Sequence, residues 1–215
     1  MPSIIDLTLT LRPNLRGVAW ETVRTVERDG WNARTLHLYS HAGTHMDAQT
    51  HFAAGPETID QIPLDRCMGR ATMIDLTGVE PKSLLGMDLL GPTATEFREG
   101  ECLLLRTGWS RQIEDPKYYR DYFPRIAEDL ALWCVEHRVK ILGVEPPSVA
   151  DVNNLQELTR IHHILLGGGV TIVEGLANLD QIGANRFFFG ALPLKIEGGD
   201  GCPCRAFAIT GGALA

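Results

Sequence analysis

The chain has 215 residues, 44% of them hydrophobic and 22% charged, and a formal net charge of −7 at pH 7. That composition excludes a disordered or fibrous chain, and the length suits one compact domain, 1–215, whose core needs no disulfide or metal staple. The basic residues are scattered with no run to follow a phosphate backbone, and no apolar run nears the roughly 20 residues that cross a bilayer, so neither nucleic acid nor membrane is expected as a partner.

In chain order, β-branched and aromatic enrichment between turn residues predicts strands over 3–11 (SIIDLTLTL), 34–40 (RTLHLYS), 71–77 (ATMIDLT) and 102–108 (CLLLRTG). A helix follows over 124–138, with Pro124 suited to its first turn and Ile126, Leu130, Trp133 and Cys134 at helical spacing. Next come a strand at 140–144, a helix at 154–166 introduced by asparagine, and strands at 170–174, 186–196 and 204–210. Helix, strand, helix, strand from 124 to 174 reads as a local α/β unit beside a larger, mostly antiparallel strand set, which makes the fold class α/β.

The start, MPSIIDLTLTL, has no basic n-region and meets Asp6 early, so no signal peptide is expected there. Five cysteines, Cys67, Cys102, Cys134, Cys202 and Cys204, are odd in number and irregularly spaced. They argue against a disulfide framework and for a reducing, cytoplasmic setting. The CPC at 202–204 has no second cysteine pair and reads as small residues alternating in a strand.

The stretch SHAGTHMDAQTHF, 40–52, holds His41, His45, Asp47 and His51. In extended backbone these odd-numbered residues share a face, and Gly43 places no side chain between the first two. Imidazoles beside a carboxylate suit a borderline metal such as zinc, manganese or iron, yet an acid/base cluster or a solvated polar turn fits the same spacing. Further along, RIHHILLGGGVTIVEGLANLD places His162 in a helix and Glu174 at the end of an apolar strand. A carboxylate there is costly to bury alone, so it needs an ion, a cap or a salt bridge. His163 points about 100° from His162, so only one of the two should face a common site. GxSxG is absent, since GWS at 108–110 lacks its second glycine, and GGGV and EGGDG read as turns and not as phosphate cradles.

HAGTHMDAQTH resembles the HxGTHxDxPxH signature of the metal-dependent cyclase-like hydrolases, the family holding bacterial kynurenine formamidase and isatin hydrolase. HHILLGGGVTIVEGLANLD is similar to the family's second His and Glu, and LPLKIEGGDGCPCRAFAI to its closing strands. The resemblance implies one or two divalent ions, Zn or Mn, with His41, His45 and Asp47 at a first site, His162 at a second, and Asp47 and Glu174 able to bridge. His51 falls on the catalytic histidine. Gln49 stands where the family pattern has proline, and the loss of that proline is expected to loosen the loop that aims His51.

The implied fold is a swivelling β/β/α domain, and the implied assembly a homodimer or higher oligomer that completes the site. The implied chemistry is hydrolysis of a carbon–nitrogen bond in a small, aromatic amide, formamide or cyclic amide. Two ions against two carboxylates leave a positive excess that favours hydroxide; one ion leaves none. Trp20 and Trp31 lie in a segment where family members place substrate-contacting aromatics, and Trp20 is the candidate contact. Two other readings stay open: a non-catalytic ligand-binding relative with Gln49 marking a retired loop, and a cyclase or lactone-acting enzyme on a polyketide-like substrate.

Overall fold

A computed structural model describes residues 2–211. Its elements are β1 Ser3–Asp6, β2 Val18–Arg24, α1 Val26–Asp29, β3 Ala33–Leu38, β4 His45–Asp47, β5 Met68–Asp75, β6 Leu84–Leu85, α2 Thr93–Glu96, β7 Cys102–Arg106, α3 Pro116–Asp121, β8 Arg125–Ile126, α4 Glu128–Glu136, β9 Ile141–Val144, α5 Leu155–Gly167, β10 Thr171–Glu174, β11 Arg186–Pro193 and β12 Gly201–Thr210, with short 3₁₀ turns between some of them.

One large sheet runs β1-β12-β11-β5-β7-β9-β10-β4, and β4 pairs again with β12. Seven strands therefore close into a barrel-like ring. Closure is possible because β12 is long: its residues 201–203 pair with β4 and its residues 207–210 with β1. The pairs β5–β7, β7–β9 and β9–β10 are parallel and the others antiparallel, so the expected mostly antiparallel set is in fact a mixed sheet. Of the parallel strands, β7, β9 and β10 are buried on both faces and read as nearly continuous apolar runs, a pattern without direction.

Alternation along β7 assigns the two faces. Cys102 and Leu104 point into the ring beside Met46, Val173, Phe187 and Phe189. Leu103 and Leu105 point outward, where α4 and α5 cover them with Leu130, Trp133, Ile161 and Leu165. Each fully buried Leu or Phe contributes about 1.5–3 kcal/mol of burial.

α5 begins where expected, since the Asn154 side chain accepts the Glu157 amide hydrogen at 3.2 Å. The other helix starts later than its pattern suggests. Arg125 and Ile126 pair as β8 with β6, and the Ile126 amide donates to Val149 O, so α4 begins at Glu128 and Pro124 lies outside its first turn. The hairpin β2–β3, with α1 in its turn, forms a separate two-stranded sheet; β2 is missing from the predicted strands. All five cysteines are buried and free. Among the described residues, no helix is long and apolar enough to cross a membrane.

Candidate metal centre

Strand β4 is three residues long and sits between β10 and β12. Met46 packs inside the ring, so His45 and Asp47 face outward. On β10, Val173 is an inward core residue and Ile172 an outward one, which turns Glu174 to the same side as His45, its register partner. α5 lies over that outer face and supplies His162, while His163 is exposed on its far side. Two glycines with positive φ let the strand ends approach: a Cβ on Gly175 (φ 67) would strike the Gly43 carbonyl, and Gly43 itself has φ 62. Gly201 leaves room for the His41 ring.

His45, Asp47, His162 and Glu174 are each no more than 3% exposed. His45 Nδ1 lies 3.0 Å from Gly43 O, and His162 Nδ1 lies 2.7 Å from Leu158 O. A carbonyl can only accept, so both rings carry N–H at Nδ1 and turn Nε2 inward. His45 Nε2 is 3.2 Å from Glu174 Oε2 and 3.5 Å from Asp47 Oδ1; His162 Nε2 is 3.5 Å from Glu174 Oε1 and 3.7 Å from Asp47 Oδ2. His41 faces Asp47 Oδ1 through Nδ1 at 2.8 Å. The Val149 amide donates to Glu174 Oε1 at 2.8 Å.

Burial alone would lower the His45 pKa, yet the hydrogen bond to Glu174 and the charges of Asp47 and Glu174 raise it to about 9. Burial opposes the charged forms of His41 and His162 as well, but Asp47 and Asp200 raise the first, and Glu174 and Asp47 raise the second. Burial would lift the Asp47 carboxyl, but His41, His45 and His162 hold it well below the usual carboxylate range. Glu174 is lowered against both burial and the Asp47 charge by His162 and His45. His51, less closely paired, is lowered by burial.

Asp47 Oδ2 is buried without a hydrogen-bond partner, a costly state that a cation would relieve. Donor atoms of His41, His45 and Asp47 lie within 4.8 Å of one another, as do those of Asp47, His162 and Glu174. Asp47 belongs to both groups and offers Oδ1 to one and Oδ2 to the other. This nitrogen and oxygen donor set fits a divalent borderline ion.

The remaining candidate residues fall at different distances from this centre. His51, in the turn after β4, stacks on His41 with ring centroids 3.7 Å apart and sets Nδ1 3.6 Å from Asp200 Oδ2. Gln49 does the reverse of loosening that turn: Nε2 donates to Leu166 O at 3.1 Å, and Oε1 accepts the Glu57 amide hydrogen at 3.3 Å. Trp20 lies on the hairpin β2–β3, with the Arg34 guanidinium over its ring at 5.2 Å. Asp200 was hidden in the EGGDG stretch read as a turn; its one signal was an acid set directly before the closing strand. Beside His41 and His45 opens a cavity of about 380 Å³, walled by Leu9, Leu15, Ile113, Tyr119 and Val152, with Arg16 and Lys117 among its lining residues.

Residues 5–151 match the Cyclase family. The chain belongs to that family. It is 30% identical over 191 residues to the kynurenine formamidase of Salinibacter ruber, covering 87% of this chain and 84% of that one. It is 31% identical over 176 residues to the kynurenine formamidase of Geobacillus thermodenitrificans, covering 81% and 78%. Isatin hydrolase A from Ralstonia solanacearum superposes with a TM-score of 0.88 at 25% identity, over 98% of this chain and 92% of that chain.

Proposed function

We propose that this Cyclase-family protein is a metal-dependent hydrolase that cleaves the carbon–nitrogen bond of a small, aromatic amide, formamide or cyclic amide. The observation that carries the reading is Asp47, buried and shared between two donor groups, with one carboxylate oxygen unpartnered. The similarity to proteins named kynurenine formamidase and isatin hydrolase supports the bond type. His41, His45, Asp47, His162 and Glu174 would hold one or two zinc or manganese ions. When bound, such an ion supplies Lewis acidity and makes water nucleophilic near neutral pH. His51 is held neutral by burial and leans Nδ1 toward Asp200, which leaves Nε2 to take a proton and return it to the departing nitrogen.

The cavity walls of Leu9, Leu15, Ile113 and Val152 suit an aromatic body, and the volume of about 380 Å³ suits a small one better than a polyketide. Among the described residues neither Arg16 nor Lys117 forms an ion pair within 4.0 Å, and Asp121, the carboxylate that lines the same cavity, is paired with Arg120, so an acidic substituent on the substrate would be favoured at that rim. The tether through Gln49 weighs against a retired catalytic loop and hence against a non-catalytic binder.

The hairpin β2–β3 carries Trp31 and Leu36 at 57% and 58% exposure, and a lone two-stranded ribbon is marginal in water. A second copy of the chain covering it would make the working form a homodimer or higher homo-oligomer. Five buried, unpaired thiols support a cytoplasmic setting.

The test is expression without a histidine tag in zinc- or manganese-supplemented medium, elemental analysis, and assay against aryl formamides, lactams and cyclic imides. Bound metal and turnover that vanishes in Glu174→Gln are expected. Metal-free protein after supplementation, or turnover indifferent to Glu174, would overturn the reading.

A further inference from the structure

The three buried imidazoles of the centre obey one rule with one exception. Each turns a nitrogen inward to the carboxylates and ties its other nitrogen outward. For His45 and His162 the outer partner is a backbone carbonyl, Gly43 O or Leu158 O, which fixes the tautomer. His41 has no such carbonyl. Its two nitrogens face two carboxylates, Asp47 Oδ1 at 2.8 Å and Asp200 Oδ2 at 3.0 Å, either of which could accept its single N–H. Only one choice leaves Nδ1 with a lone pair for a cation shared with His45 and Asp47, and that choice sends the N–H to Asp200.

We infer that Asp200 is the positioning residue of this centre: it fixes His41 as the Nε2–H tautomer and holds the His51 ring stacked on it. The inference rests on the cation reading above. Asp200 Oδ2 reaches both rings, at 3.0 Å from His41 Nε2 and 3.6 Å from His51 Nδ1, while the rings stack at 3.7 Å between centroids. Its backbone joins the same unit, since the Ala48 amide donates to Asp200 O at 3.0 Å just before the His51 turn. The side chain is 47% exposed, so replacing it removes little packing. A carboxylate behind a metal-bound imidazole orients the ring and raises its basicity, and losing one typically weakens metal affinity 10- to 100-fold.

The test uses the full chain as wild type, Asp200→Asn and Asp200→Ala, with apo-protein melting as the check on folding. Zinc affinity is read by competition with a chromogenic chelator, and histidine tautomers by ¹⁵N NMR. The expected result is a loss of about 10- to 100-fold in affinity in Asp200→Ala, a smaller loss in Asp200→Asn, and, in metal-free protein at a pH where the ring is neutral, a His41 signal shifted from Nε2–H toward Nδ1–H while His45 and His162 keep theirs. Unchanged affinity with an unchanged His41 tautomer would overturn the inference. So would loss of one whole equivalent of zinc with the tautomer intact, because Asp200 would then be a ligand itself. If the wild type binds no zinc, the cation reading fails by itself. The His41 tautomer in metal-free protein, at a pH where the ring is neutral, then decides: Nε2–H in wild type and a shift toward Nδ1–H in Asp200→Ala uphold the role of Asp200, and an unchanged tautomer, or Nδ1–H already in wild type, overturns it.

Discussion

His41 and His51 stack nearly face to face, their planes 24° apart, although His41 sets Nδ1 2.8 Å from the buried Asp47 carboxylate and His51 reaches only the half-exposed Asp200. Two rings in contact are thus given different electrostatics. His41 is raised because Asp47 and Asp200 outweigh burial, and His51 is lowered because burial is its largest influence. The first is suited to holding a cation and the second to moving a proton.

Asp47→Ala and His51→Ala should therefore separate. Removing Asp47 takes the shared carboxylate from both donor groups, so metal content and activity are expected to fall together. Removing His51 leaves those groups intact, so metal content should remain while kcat drops by roughly 10²–10⁴. Elemental analysis beside kcat measurements on both variants checks this. A fully active His51→Ala protein would end the role assigned to that ring.

The centre was legible in the sequence where its geometry is local. His41, His45, Asp47 and His51 share a short stretch, and the strand and helix patterns around Glu174 and His162 are simple ones. What could not be read is long-range. Asp200 reaches His41 from 159 residues away, and a glycine-flanked acid looks like any turn. Gln49 was misjudged for the same reason: its partners Leu166 O and the Glu57 amide come from outside the turn it stabilises. The strand segments were mostly found, but apolar runs such as those of β7, β9 and β10 carry no sign of their direction. That is where the mixed character of the sheet was lost.

Gln49→Ala should loosen what Gln49 now holds. Two hydrogen bonds at about 1 kcal/mol each suggest a loss of roughly 1–2 kcal/mol, read as a lower urea midpoint with the slope unchanged. The turn also aims His51, so kcat should fall more than KM rises. A variant as stable and as active as wild type would show that the tether is incidental.

The charge balance of the metal-free centre sets a pH dependence of known sign. His45 keeps its proton up to about pH 9, above its ordinary value near 6.5, so its contribution to stability is complete below pH 6.5 and is lost as pH rises through 9. Metal-free protein should thus melt at lower temperature at pH 10 than at pH 7. An ion must displace that proton, so metal affinity should weaken by about tenfold per pH unit per displaced proton as pH falls below 9. Chelator competition across pH 6–9 and paired melting curves measure both; an affinity independent of pH would contradict the proposed donors.

Arg16 and Lys117 offer a test of substrate chemistry that leaves the metal centre alone. Arg16 lies over the Tyr39 ring at 5.8 Å, and Tyr39 in turn leans on His41 at 5.5 Å between centroids, which links the cation to the centre through one aromatic side chain. Arg16→Gln with Lys117→Gln should raise KM for a carboxylated aryl formamide by about tenfold or more and leave KM for its neutral analogue unchanged, as expected for lost charge-assisted contacts. Equal effects on both substrates would remove the rim from substrate recognition.

Gly175→Ala probes how the chain brings Glu174 into the centre at all. The residue sits at φ 67, and an added Cβ would meet the Gly43 carbonyl, which is rigid backbone and cannot rotate away. The left-handed conformation alone costs about 1–2 kcal/mol for an L side chain, and the clash adds to it. Relief requires β4 and β10 to part at the pair His45–Glu174, where the distance is now 3.2 Å between Nε2 and Oε2. The expected outcome is a protein less stable by more than the conformational cost alone and with weakened metal binding, whereas Gly30→Ala, at φ 81 with nothing within 4 Å of its Cβ, should show the conformational cost only. Urea unfolding and zinc competition on the two variants make the comparison, and equal losses would mean that the Gly43–Gly175 approach does not hold the centre together.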